Sequence, residues 1–282
     1  MKSVFQLAAG SVIGRQHRHL GKNNQDAYYS LQTEQITIAL VCDGCGSCPH
    51  SEIGARIGSR LLGETIAHLL TDHPDRHLTH PSFWEELQAK ALFRLGEVVA
   101  AIGGDPIQVI QDGFLFTVVG AIVSTEGASL FSLGDGVIVI NGIVESLGPF
   151  PHNAPPYLAY ELIARDRGAK FHFPASPDLP FQVHHPCSIS ILQSILIGTD
   201  GVTDLIAAAE ISLPGQSERI GPLSQFWEAD RYFTNPDQIR RRLALMNREV
   251  TQPDWETRSL AKHPGLLPDD TTLIVIRRRR AP

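Results

Sequence analysis

The sequence is short of residues that staple chains together or carry them across membranes. Cysteine occurs four times, tryptophan three times and methionine twice among 282 residues. Four cysteines in a chain this long do not make a disulfide framework, which belongs to short, cysteine-dense secreted chains. Long apolar runs are also missing. The longest, Phe114–Val123, spans ten residues, against the roughly eighteen that a membrane helix needs. Positive charge is in deficit, with 24 Lys and Arg against 30 Asp and Glu. A net charge of −6 argues against general nucleic-acid binding, which needs a basic surface. The opening residues Met1 to Leu7 carry one positive side chain and an apolar stretch broken by Gln6, a poor secretory signal. The expectation is a cytoplasmic protein that engages neither membrane nor nucleic acid.

What is present is an ordinary globular balance, with enough apolar side chains to bury a core without staples. No internal repeat or low-complexity segment stands out. Pro149 to Pro156 and Pro174 to Pro180 read as loops. Ile53, Ile57, Leu61, Ile66 and Leu69 mark one helix after Ser51. Trp84, Leu87, Ala91, Leu95, Val98 and Ile102 mark a second, with Ser82 and Glu85 as its capping box. Asn235 followed by Pro236 predicts a helix start, and Ile239, Leu243 and Met246 share its face. Strands are expected at Ile36–Cys42, Phe114–Val123, Ala128–Leu133, Val137–Val144, Ile189–Gly198 and Thr272–Arg277. Gly134-Asp135-Gly136 reads as a hairpin turn between two of them. Strands and helices come in blocks, which favours antiparallel sheet covered by helices over a doubly wound parallel sheet.

The informative pattern is where the acids sit. Asp43 follows one strand and Asp200 another, each followed by glycine, and Asp269-Asp270 precedes the last. Asp135 occupies the Gly-Asp-Gly turn, and Asp26 opens a segment after Asn23-Asn24-Gln25. Any single Asp-Gly is usually just a turn. Carboxylates at strand ends can, however, converge on one sheet edge, and glycine lets backbone carbonyls approach an ion. Hard oxygen donors without His or Cys neighbours suit Mg²⁺ or Mn²⁺. So many anions together would repel unless cations neutralise them.

The order of these motifs resembles the type 2C metal-dependent protein serine/threonine phosphatases, especially their prokaryotic branch. The family's opening glycine, basic residues and Asn-Glu/Gln-Asp are similar to Gly14-Arg15 through Asn24-Gln25-Asp26. Its Asp-Gly-x-Gly is similar to Asp43-Gly44-Cys45-Gly46, and its threonine before an apolar strand to Thr117. Gly134-Asp135-Gly136, Asp200-Gly201 through Asp204 and Asp269-Asp270-Thr271-Thr272 complete the set. The matches run nearly the whole chain. The resemblance therefore implies one phosphatase domain over residues 1–282, with loop or insert regions at about 145–185 and 208–235. It implies an α+β, four-layer αββα sandwich: two packed antiparallel β-sheets flanked by helix pairs. Asp43 would bridge two Mg²⁺ or Mn²⁺ ions, Asp200 and Asp269 would complete the first, and the Gly44 carbonyl would help bind the second. Asp26 would lie in or just behind the ligand shell, and Asp135 and Asp204 would serve a third ion. Two ions roughly 3.5–4 Å apart activate a water in line with phosphorus. The substrate implied is a phosphoserine or phosphothreonine protein, paired with a serine/threonine kinase in signal transduction.

The chain departs from the family in three places. Cys45 stands where eukaryotic members carry a histidine that protonates the leaving alkoxide; water, His50 or His17 would take that role. Gly21 stands where a phosphate-binding arginine is common, and Arg15, Arg18 or Lys22 would substitute. Gln25 replaces the more usual glutamate. Two other classes remain. One is a non-catalytic phosphoprotein-binding pseudophosphatase on the same scaffold. The other is a redox protein built on Cys42-x-x-Cys45-x-x-Cys48, whose spacing suits an iron–sulfur or zinc site if Cys187 or His50 joins. The bland reading of those cysteines is small residues filling a tight loop. His73, His77 and His80 read as solvated rather than zinc-binding. Arg277 to Arg280 read as a solvated strand end, and Phe226, Trp227, Tyr232 and Phe233 as core or flap packing.

Overall fold

A computed structural model describes residues 1–72, 77–166 and 181–280. His73 and the Pro174–Pro180 stretch lie outside them. In chain order the elements are β1 (Phe5–Val12), α1 (Arg15–His19), β2 (Asp26–Gln32), β3 (Thr37–Asp43), α2 (Ser51–Asp72), α3 (Pro81–Ile102), α4 (Pro106–Gly113), β4 (Val118–Val123), β5 (Ala128–Leu133), β6 (Gly136–Ile140), β7 (Ile143–Leu147), α5 (Tyr160–Asp166), β8 (Gln182–Cys187), β9 (Ser194–Gly198), α6 (Gly201–Ala207), α7 (Gln225–Glu228), α8 (Arg231–Thr234), α9 (Gln238–Met246), β10 (Val250–Asp254), β11 (Ser259–His263) and β12 (Thr271–Arg278).

Ten strands form two five-stranded sheets, ordered β1-β12-β9-β6-β7 and β2-β3-β4-β5-β8; β10 and β11 make a separate hairpin. Pairing is antiparallel throughout. The central strands are apolar on both faces, and successive side chains alternate between faces. Ala39 and Val41 of β3, Val119 and Ala121 of β4, Ile195 and Ile197 of β9, and Ile274 and Ile276 of β12 fill the space between the sheets. Their neighbours Ile38, Leu40, Val118 and Ile122 face outward beneath α2, α3 and α4. On the other sheet Leu196, Leu273 and Val275 face outward beneath α6, α7, α8 and α9. Three apolar layers therefore separate four layers of secondary structure, which is the αββα sandwich. Long helices cover one side and four short ones the other.

Several local expectations are corrected. Gly134-Asp135-Gly136 is not a hairpin turn, because β5 and β6 belong to different sheets. The chain crosses between sheets at this point. Gly134 and Gly136 have φ of 98° and 144°, and a side chain at Gly136 would meet the Gly198 carbonyl. The turn that does exist is Asn141-Gly142, both at positive φ, which splits Val137–Val144 into β6 and β7. Only Val118–Val123 and Ser194–Gly198 of two longer expected strands pair within the sheets. The second long helix begins at Pro81, capped by His80, whose ring accepts from the Ser82 N–H, so Ser82 is not the cap. The helix after Asn235 starts at Gln238, and Asn235 instead accepts from the Asp237 N–H. Arg277 is not a solvated end: it is buried, bonded to Gln6 and Asp230, and lies over the Phe233 ring. Phe226 and Tyr232 are fully buried core.

Gly120 shows how tight the helix-facing layer is. It stands between Leu40 and Phe131 in register, and a Cβ there would lie 2.3 Å from Phe131 Cζ and 2.7 Å from Leu40 Cδ2. Gly120→Ala is expected to lower stability by about 1–3 kcal/mol, as overpacking does, in equilibrium urea unfolding.

Candidate metal centre

The acidic cluster is assembled by strand register. Asp43 ends β3 and Asp26 begins β2, and the ladder places them opposite one another. Alternation from Ala39 and Val41 puts Asp43 on the inter-sheet face, at the sheet's end. In the other sheet, β9 and β12 pair so that Gly198 lies opposite Leu273, bringing Asp200 beyond one strand near Asp269 before the other. Thr199 joins the two sheets. Its Oγ1 donates to Asp26 Oδ2 at 2.8 Å and accepts from the Thr272 N–H at 3.1 Å. The sheet crossover carries Asp135 to the same mouth. Asp43, Gly44, Asp135, Asp200 and Asp269 all line one cleft of about 410 Å³.

Asp26 is buried behind this cleft rather than lining it. Asp204, one turn along α6, does not line the cleft but feels the charge of Asp269. Arg15 and Arg18 do not line it either; their guanidinium groups donate to the carbonyls of Gly265 and Asn247. Lys22 comes nearer, donating from Nζ to the carbonyl of Gly46, a cleft residue, at 2.7 Å. His50 is not among the cleft residues, whereas His17 is. His152 and Tyr157 also line it, and neither was singled out from sequence. His152 comes from the proline-rich stretch read as a loop and Tyr157 directly follows it, and residue type alone gave no signal for them.

The electrostatics are one-sided. Burial pushes the Asp43 carboxyl well above the usual range, and Asp26, Asp200, Asp269 and Asp135 push the same way. Asp26 is raised well above its usual range by burial and Asp270, against the opposing Thr199 hydrogen bond. Asp135 is pushed up to about 6 by burial and Asp200, and Asp200 is raised by burial and Asp269. No Lys or Arg is among the leading causes of these shifts. Asp26 Oδ1 is buried without a hydrogen-bond partner. An uncompensated set of oxygen donors with a spare buried carboxylate oxygen fits hard divalent cations.

The cysteine loop is a different matter. Among the described residues, the one trio of candidate ligands that converges is His17, Asp269 and Asp270, and no cysteine trio does. Contacts with the side chains of Cys48 and Ser47 hold the Cys45 thiol low, and the Cys45 contact pushes Cys48 up. His77 pairs with Glu126, and His80 caps α3.

By sequence, residues 13–232 match the family described as Protein phosphatase 2C, and the chain belongs to that family. A search of curated proteins finds no match. Solved structures share the architecture. A bacterial serine phosphatase aligns with TM-score 0.54 at 14% identity, covering 98% of each chain. The Mycobacterium tuberculosis serine/threonine phosphatase PstP/Ppp aligns with TM-score 0.51 at 16% identity, covering 98% of this chain and 100% of its own. The S. agalactiae serine/threonine phosphatase aligns with TM-score 0.50 at 15% identity, again over 98% and 100%. At these identities the likeness is one of fold.

The raised carboxylates set a pH dependence. In the metal-free protein the folded state holds protons that the unfolded chain releases near 3.8. Stability therefore falls as pH rises, and the Asp135 share of that loss lies between about 3.8 and 6. Thermal unfolding of chelator-treated protein should show Tm dropping across this window. Saturating Mn²⁺ should remove the drop.

Proposed function

We propose that this protein is a Mg²⁺- or Mn²⁺-dependent phosphatase acting on phosphoserine and phosphothreonine in proteins, with residues 1–282 forming one phosphatase domain. The observation that carries this reading is the convergence of Asp43, Asp200, Asp269 and Asp135 on one cleft, with no Lys or Arg among the described residues that line it. When bound, the ions would supply Lewis acidity, activating a water and offsetting charge on the phosphoryl oxygens. Asp43, centred in the cluster, would be shared between ions, with Asp200 and Asp269 on one side and Gly44 on the other. Asp135 and Asp204 would serve a further ion. Asp26, held by Thr199, buttresses Asp43 from behind.

Lys22 is the basic candidate nearest the cleft, since its partner Gly46 lines it whereas Gly265 and Asn247, the partners of Arg15 and Arg18, do not. Its ammonium would meet the phosphoryl group, while the loop carbonyl of Gly46 holds it in range. No covalent phosphoenzyme is required, so the cysteines need not act as nucleophiles. The bacterial relatives are described as serine or serine/threonine phosphatases, which supports the substrate class.

Hydrolysis of p-nitrophenyl phosphate should need added Mn²⁺ or Mg²⁺. Asp43→Asn should lose at least about a hundredfold in kcat, because several kcal/mol of ion-based stabilisation is withdrawn. Full activity of that variant in excess chelator would overturn the mechanism. Lys22→Ala should raise KM several-fold on a phosphopeptide with a smaller change in kcat. An unchanged KM would remove Lys22 from phosphate binding.

A further inference from the structure

Metal-assisted hydrolysis leaves the cysteines after β3 without a task. All four cysteines of the chain are free thiols. Three form the run Cys42-x-x-Cys45-x-x-Cys48, and the fold sets the first apart from the other two. Cys42 lies within β3, and the backbone stays extended as far as Gly44, which bridges to Phe116. Three extended residues span about 10 Å, more than the roughly 7 Å between Cα atoms that a disulfide tolerates. Cys187 stands on β8, three strands away from β3 in the same sheet.

Between Cys45 and Cys48 the chain turns back. The Cys48 N–H donates to the Cys45 carbonyl at 2.9 Å, closing a four-residue turn through Gly46 and Ser47. Such a turn keeps its first and last Cα atoms within about 7 Å, and disulfide-bonded cysteines stand about 4.4–6.8 Å apart. The two side chains are already in contact. The ends of the turn are held from outside. The Cys45 N–H donates to the Leu115 carbonyl at 2.9 Å, and the Gln25 amide donates to the Cys48 carbonyl at 3.1 Å. The apex has room to shift, since a Cβ on Gly46 would meet nothing within 4 Å. The two sulfurs differ in access. Cys45 lines the cleft with Gly46 and Ser47, whereas Cys48 is 6% exposed and packs in the apolar layer beneath the long helices. The outer sulfur is thus open to a small oxidant in the cleft, and the inner one stands behind it.

We propose that Cys45 and Cys48 form a reversible disulfide when hydrogen peroxide enters the cleft, and that this bridge switches the enzyme off. The Cys45 sulfur attacks one peroxide oxygen; the O–O bond breaks, a water leaves and Cys45 becomes a sulfenic acid. The Cys48 sulfur then attacks the Cys45 sulfur; the S–O bond breaks, the S–S bond forms and a second water leaves. Two thiols are oxidised and one peroxide is reduced to two waters. A dithiol reductant reverses the bridge by exchange. The covalent bond is shorter than the contact it replaces, so the turn tightens at its apex. That apex carries the Gly46 carbonyl, which holds Lys22 Nζ at 2.7 Å, and it lies just beyond Gly44. The loss of activity rests on the phosphatase reading above; the bridge itself does not.

The test is thiol mapping of the Mg²⁺-loaded protein after brief treatment with hydrogen peroxide and alkylation by iodoacetamide in denaturant. Mass spectrometry should find a peptide lighter by two hydrogens, with Cys45 and Cys48 protected together and Cys42 and Cys187 alkylated. Dithiothreitol should restore both thiols. Hydrolysis of p-nitrophenyl phosphate by the bridged protein should fall at least about tenfold, as a small displacement at the site would cause, and return with dithiothreitol. Cys48→Ala removes no side chain from the cleft. It should keep basal activity, form no bridge and hold a Cys45 sulfenic acid that dimedone captures. Cys45 left reduced, oxidised further with Cys48 still free, or bridged to another cysteine overturns the pairing. Undiminished activity of the bridged protein overturns the switch. Absence of metal-dependent hydrolysis before any oxidant is added overturns the phosphatase reading, and the mapping still decides the bridge.

Discussion

Mutual repulsion among carboxylates crowded at the ends of the two sheets is the constraint around which the molecule is organised. Asp26 and Asp43 are forced opposite one another by a strand ladder, and Asp200 and Asp269 are brought near one another just beyond the end of another. Neither pair can relax by moving, because each is fixed to the end of a strand whose other residues fill the space between the sheets. Thr199 adds a direct tie between the sheets at the point of greatest charge. The rigid core holds together groups that would otherwise separate. A cation that enters this cleft relieves that repulsion, and the fold has met most of the organisational cost beforehand.

The cysteine-bearing loop after Asp43 fits the same logic without contributing donors. The Gln25 side-chain amide donates to the Cys48 carbonyl at 3.1 Å, and the Gly44 N–H donates to the Gln25 carbonyl at 3.2 Å. Gln25 thus pins both ends of the loop to the start of β2. A glutamate at this position would set a carboxylate against the Cys48 carbonyl, which gives a physical reason for the neutral side chain. Gly44 is fixed by space as well, since a Cβ would lie 2.8 Å from the Gln25 carbonyl oxygen and 2.8 Å from Ser51 Oγ.

Much of this was legible in the sequence. The central strands β3, β4, β5, β6, β9 and β12 announce themselves because they are apolar on two faces, whereas the edge strands β1, β2, β7 and β8 do not; Asp43, Asp200 and Asp269 stand out because they sit at strand ends beside glycine or before a β-branched run. The structure brings these three to one cleft. What was not legible depended on three-dimensional partners. Gly134-Asp135-Gly136 has the composition of a hairpin turn, and only the burial of both flanking strands in different sheets makes it a crossover. Asn141-Gly142 carried the stronger hairpin signal but was hidden inside a continuous apolar run. His17 was named beside His50 and water as a possible proton donor, and nothing local chose between them. Its place depends on α1 docking against residues 265–268, some 250 positions away. Tyr157 and His152 reach the cleft from a segment with no periodicity to read.

The strand order has a consequence for how the protein comes into being. β12 lies between β1 and β9 in its sheet, yet it follows every other strand along the chain. Asp269 sits at its entrance, so the cluster spans partners separated by more than two hundred residues, from Asp26 to Asp269. Contacts of this separation form late in folding. A chain emerging from the ribosome would carry Asp26, Asp43 and Asp200 before it carried the strand that orders the first sheet. High metal affinity should therefore appear only once β12 has paired between β1 and β9.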